Sequence, residues 1–140
     1  MTNAVEPLLL DTHVWIWLNE GGPELRDGMI RRIDRAAAQG LAFVSIMSVW
    51  ELDLLHAKQR VVLGLALPTW VERALAPPIT LAAMRTTIAL ACHQLPDRLH
   101  NDPIDRILVA TARVEDLTLV TRDRVILDYA ARGHLRTLAC

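Results

Sequence analysis

A chain of 140 residues, 52% hydrophobic and 22% charged, has the size and composition of one packed domain, which excludes a disordered or low-complexity protein. Fifteen basic against sixteen acidic residues leave a formal net charge of −1, so no global positive field marks a nucleic-acid binder. Local phosphate contacts stay open, because Lys58 is the only lysine and the remaining cations are arginines, which fork onto phosphate oxygens.

In chain order, Leu8–Leu10 followed by Asp11 is an unbroken apolar run ending in an acid, the pattern of a buried parallel strand. A short helix is predicted over 12–18, stopped by Asn19-Glu20-Gly21-Gly22-Pro23. Residues 24–39 carry Leu25, Met29, Ile30, Ile33, Ala36 and Ala37 at helical spacing and close at Gly40. A second strand is predicted over 41–44, and Ser45 or Ser48 can cap a helix running to about Lys58. Residues 60–67 fit a loop, a β-arm or a helix turn, whereas 68–75 reads as a helix. A third strand over 79–81 precedes a helix over 82–94 and a polar connection to Asn101. Asp102-Pro103 opens a helix to Glu115, with Asp as N-cap and Pro at the first helical position. A strand over 117–120, a helix from Asp123 or Arg124 to about Arg132, and a strand over 135–138 complete the chain. This alternation implies a three-layer α/β/α sandwich with a mainly parallel sheet, and 1–140 is expected to be a single domain.

The cysteines, Cys92 and Cys140, form no C-x-x-C pair and no disulfide framework, and the apolar run from Val61 is broken by Gly64. A soluble, cytoplasmic protein without a membrane span is therefore expected.

Ligands of open parallel sheets bind beyond the carboxyl ends of the strands. Asp11 ends the first strand, and Asp123 follows the 117–120 strand by a turn containing Thr121. Glu51 lies in the second turn after Ser45. Asp102 and Asp105, three residues apart, share the face of a helix start. Carboxylates gathered together repel one another and resist desolvation unless a cation neutralises them. Oxygen ligands without a Cys/His set favour Mg²⁺ or Mn²⁺ over zinc. Such an ion clamps phosphate oxygens and activates a water for in-line attack on a phosphodiester. Each of four acids also has a local use: Asp102 caps a helix, Asp105 suits a helix dipole, and Asp11 and Asp123 can start helices. Glu51 is the least explained this way, since within Val49-Trp50-Glu51-Leu52 an isolated acid is costly unless it faces a cleft.

Arg106, Arg122 and Arg124 adjoin the acids and can hold substrate phosphates or simply face solvent. His13 and His100 flank the acids as candidate general bases. Trp15, Trp17, Trp50 and Trp70 suit base stacking, the core or a partner surface.

The segments Leu8-Leu9-Leu10-Asp11-Thr12-His13, Ser45-x-x-Ser48-x-x-Glu51-Leu52, the run from Asn101-Asp102-Pro103-Ile104-Asp105-Arg106 to Ala112, and Leu119-Val120-Thr121-Arg122-Asp123 occur in this order across residues 8 to 123. Together they resemble the PIN domain, in particular the VapC-type toxin ribonucleases of bacterial toxin–antitoxin pairs. The resemblance implies that Asp11, Glu51, Asp105 and Asp123 hold Mg²⁺ or Mn²⁺ and form the catalytic set. It leaves Asp102 as a ligand, a holder of a nearby water or a cap, and makes Thr121 the residue that orients Asp123 or a metal-bound water. It further implies an endoribonuclease acting on single-stranded or looped RNA, leaving a 5′-phosphate and a 3′-hydroxyl, a homodimer, and a cognate antitoxin whose tail covers the groove. Two readings from other classes compete. A phosphoacceptor signalling domain needs a lysine at the end of a later strand, where only Lys58, in a predicted helix, is on offer. A non-catalytic module binding a protein partner keeps the fold, but the complete acidic quartet counts against it.

Overall fold

The leucine run forms strand β1 (Leu8–Leu10), fully buried, in a computed structural model that describes residues 4–140; residues 1–3 of the expected 1–140 domain lie outside the described residues. β1 is the middle of a five-stranded sheet with β2 (Ala42–Ser45), β3 (Thr80–Ala82), β4 (Thr118–Thr121) and β5 (Thr137–Ala139). The order is β3-β2-β1-β4-β5 and every pairing is parallel, with Leu10 opposite Val44 on one side and Val120 on the other. The period of two along a strand sends Leu8 and Leu10 to one face and Leu9 to the other. Leu8 and Leu10 join a core with Trp15, Ile33, Leu52 and Trp70, whereas Leu9 packs with Leu108, Leu119, Ile126 and Tyr129. Burial on both faces is why the strands read as continuous apolar runs rather than alternating ones.

The first core is covered by α1 (Thr12–Glu20), α2 (Asp27–Ala38), α3 (Ile46–Ala57) and α4 (Leu67–Ala74); the second is covered by α6 (Pro103–Val114) and α7 (Arg124–Ala131), with the short α5 (Thr86–Ala91) packed against α6 through Ile88 and Ala110. The expected three-layer arrangement is therefore present. Trp15 and Trp70, left open between stacking and core, meet edge-on at 5.0 Å in the first core, and the Trp15 indole N–H donates to Ala74 O at 3.1 Å.

Boundaries shift where tertiary packing overrides local spacing. Helix α2 starts at Asp27 rather than Glu24 because Pro23–Leu25 belongs to the preceding turn, which buries Leu25 in the core. Ser45, not Ser48, caps α3 by accepting the Met47 amide at 3.0 Å. Residues 60–66 form a loop without regular structure. Helix α5 is much shorter than 82–94, since β3 takes Ala82 to pair with Ser45. The last strand begins at Thr137 rather than at 135, because its pairing starts with Leu119 opposite Thr137, while Leu135 packs on the second core. Among the described residues no helix is long and apolar enough to cross a membrane.

Candidate active site

The chain builds β2 and β3 on one side of β1, then crosses to place β4 and β5 on the other. Such a reversal opens a crevice beyond the carboxyl ends of the two central strands. Asp11 directly follows β1, and its amide donates to Val120 O of β4 at 3.0 Å. Its two carboxylate oxygens are both engaged: Oδ1 accepts the Thr12 amide at 2.7 Å and Oδ2 accepts the Thr121 hydroxyl at 2.6 Å. Thr121, the last residue of β4, in turn accepts the Asp123 amide at 3.0 Å. One buried hydroxyl thus fixes the separation of the two strand-end acids. Asp123 caps α7 through Oδ1, which accepts the Ile126 amide at 3.1 Å.

Glu51 arrives from α3. The Thr12 and Ser48 hydroxyls are hydrogen-bonded at 2.9 Å, locking α3 to the start of α1, and Glu51 shares the Ser48 face one turn later. Asp102 caps α6 by accepting the Asp105 amide at 3.1 Å, which brings Asp105 to the first turn. All five expected acids line one cleft of about 400 Å³; His13, Val14, Trp17 and Arg122 complete its walls.

The electrostatics of this cleft are strained toward neutrality. Burial pushes the Asp105 carboxyl up to about 8, aided by the negative charges of Asp102, Asp11, Asp123 and Glu51. Burial also raises Asp11, outweighing the hydrogen bonds from Thr121 and Thr12, and raises Glu51 against the Thr12 hydroxyl. Proteins hold such a cluster by protonating part of it or by admitting a cation. The donor set here is carboxylate oxygen, which fits a hard divalent ion such as Mg²⁺ or Mn²⁺. One ligand atom each from His100, Asp105 and Asp123 lie within 4.8 Å of one another.

The three arginines expected to hold phosphate are placed differently. Arg106 turns away from the cleft: its Nε donates to Cys92 O at 3.0 Å, and its Nη1 to Leu99 O at 2.9 Å and His100 O at 3.4 Å. It pins the 92–100 connection onto α6. Arg106→Ala is accordingly expected to cost about 1.5–3 kcal/mol of stability in urea unfolding, the scale of losing hydrogen bonds from a charged group. Arg122 does reach the cleft wall, but its guanidinium lies 4.4 Å over the Trp17 ring; Nε donates to Cys140 O at 2.9 Å and Nη2 to Glu24 O. Arg124 opens α7 exposed to solvent. Ser48 is signalled in the sequence by its Ser48-x-x-Glu51 spacing, whereas the partners of His100 are visible only in three dimensions.

A PIN domain family model matches residues 8–132. Over 118 residues the chain is 30% identical to ribonuclease VapC22 of Mycobacterium tuberculosis, spanning 84% of this chain and 87% of that protein. Its fold superposes on VapBC2 from Rickettsia felis, solved bound to a DNA fragment from their promoter, with a TM-score of 0.67, 13% identity, and coverage of 94% of this chain and 97% of that one. DNA-bound VapBC from Salmonella typhimurium gives a TM-score of 0.68, 16% identity, and coverage of 96% and 98%. The chain belongs to the PIN domain family.

Proposed function

We propose that this protein is a Mg²⁺- or Mn²⁺-dependent endoribonuclease, the toxin of a toxin–antitoxin pair. The observation that carries the reading is the convergence of five carboxylates from four separate segments into one cleft at the sheet's switch point, in a chain related to a ribonuclease. Asp11, Glu51, Asp105 and Asp123 are the residues that would hold the ion, with Asp102 beside them. When bound, the ion supplies positive charge to the phosphate and makes a nearby water acidic enough to attack at neutral pH.

The chain's own residues supply position. Asp11 is fixed by two hydrogen bonds before any ligand arrives, and Asp123 keeps one oxygen for its helix and leaves the other for the cleft. Hydrolysis adds the water oxygen to phosphorus and breaks the bond to the 3′ oxygen, so the products carry a 5′-phosphate and a 3′-hydroxyl. Trp17 and His13, 5.8 Å apart on the rim, give an unpaired base an aromatic surface. Single-stranded or looped RNA is the proposed substrate, which sets the work in the cytoplasm. The VapBC character of the structural neighbours supports a cognate antitoxin as partner, and a homodimer is the proposed assembly.

The test is incubation of the purified chain with end-labelled single-stranded RNA and Mn²⁺ or Mg²⁺. Cleavage abolished by EDTA and restored by the ion is expected; cleavage indifferent to EDTA sinks the metal-dependent reading. Thr121→Val gives a finer check. It leaves Asp11 Oδ2 without the donor that the fully buried Thr121 supplies, so Mn²⁺ affinity and cleavage are expected to fall about 10–100-fold, the usual cost of losing a carboxylate's orienting partner.

A further inference from the structure

His100 stands beside the acidic cleft with both ring nitrogens engaged. Nδ1 accepts the Asp102 amide at 3.2 Å, and Nε2 lies 3.1 Å from Asp105 Oδ2. A backbone amide can only donate, so Nδ1 is the unprotonated nitrogen and the ring proton sits on Nε2, aimed at Asp105. The same contact decides against the ring as a metal ligand. An imidazole coordinating through Nε2 carries its proton on Nδ1, which would set donor against donor at the Asp102 amide.

We propose that His100 is a positioning residue for Asp105: it holds Oδ2 by hydrogen bond and so leaves Oδ1 as the oxygen presented to the cleft. This rests on the metal-dependent reading above. Asp102 takes part twice, through its amide, which sets the ring's tautomer, and through its carboxylate, which accepts the Asp105 amide at 3.1 Å. Arg106 holds the backbone of the same loop through Leu99 O and His100 O. Asp105 is thereby gripped at its backbone and its side chain by neighbours three and five residues before it.

Three variants of the full chain separate the ring's two tasks. Glutamine carries an amide N–H near the Nε2 position and can still donate to Asp105. Asparagine places its polar atoms near Nδ1, where it can accept the Asp102 amide but cannot reach Asp105. Calorimetry with Mn²⁺ is expected to show affinity lowered about 10-fold or more in His100→Asn and His100→Ala, and within about 3-fold of the unmodified chain in His100→Gln. The reverse order, with Asn unimpaired and Gln impaired, means that the ring only secures the loop and overturns the proposal. Nitrogen hyperfine coupling to Mn²⁺ in the unmodified protein, making the ring a ligand, overturns it as well. Independently of any variant, the imidazole ¹⁵N spectrum of the metal-free protein at pH 8.5 is expected to show the Nε2–H tautomer, and the Nδ1–H tautomer overturns the proposal. Failure of the unmodified chain to bind Mn²⁺ defeats the metal-dependent reading and this role with it; unchanged affinity in His100→Ala defeats this role alone.

Discussion

Asp105→Asn is expected to move two measurements in opposite directions, lowering RNA cleavage roughly a hundredfold or more while raising the thermal stability of the metal-free protein. On the proposed reading, the loss follows from removing one of the carboxylates that would hold the ion. The gain follows from the Asp105 carboxyl being held up to about 8 by burial and four neighbouring acids. Between about pH 4 and 8 the native state keeps a proton that the unfolded chain releases, so unfolding free energy falls as pH rises through that window and levels off above it. Asparagine has the same shape and no charge to bury. At pH 8 the variant is expected to be about 1–2 kcal/mol more stable than the parent, less than complete burial would give because the side chain keeps some contact with water. Its stability should also vary less with pH. Saturating Mn²⁺ should narrow or invert the difference, since an ion that binds only the folded state stabilises it by mass action. A variant that cuts RNA at the parental rate, or melts below the parent without metal at pH 8, contradicts the assignment of Asp105.

Trp15→Ala is expected to produce the largest loss of stability, about 3–5 kcal/mol in urea unfolding, in line with truncation of a large buried aromatic. Trp15 has no exposed surface, meets Trp70 edge-on and gives its indole N–H to Ala74 O. Truncation leaves a cavity between α1 and α4 and an unpaired carbonyl on the latter. Trp15→Phe, which keeps part of the ring but not the donor, should fall between the two. A loss below about 1 kcal/mol for the alanine variant would mean that the first core repacks around the gap, contrary to the tight packing of protein interiors.

The five acids and the parallel sheet were legible because both rest on short-range patterns: apolar runs of strand length, an acid at a strand's carboxyl end, an Asp-Pro helix start. What each carboxylate oxygen does was not legible. The Thr121 hydroxyl meets Asp11 across 110 positions of sequence, and nothing near either residue announces the pairing. Arg106 shows the same limit from the other side. Beside two acids it reads as a phosphate contact, yet its reach is taken by carbonyls of the irregular 92–100 connection, whose path has no periodicity to read. The choice of Ser45 over Ser48 as cap likewise depended on the sheet, since β2 runs to Ser45, pairs it with Ala82 and so starts the helix at Ile46.

Three helices, α1, α6 and α7, begin at an acid of the cleft, and Asp11, Asp102 and Asp123 each give one oxygen to an amide of the helix they start. These side chains cannot swing to suit a guest without breaking a cap, so on the proposed reading a change of ion radius has to be met by shifting whole helices against a close-packed sheet. Mg²⁺ sits about 2.1 Å from its oxygens and Ca²⁺ about 2.3–2.6 Å, a gap that mobile side chains absorb easily and anchored ones do not. Discrimination by size would then be a mechanical property of the scaffold, set by the stiffness of helix–sheet packing rather than by the chemistry of the carboxylates.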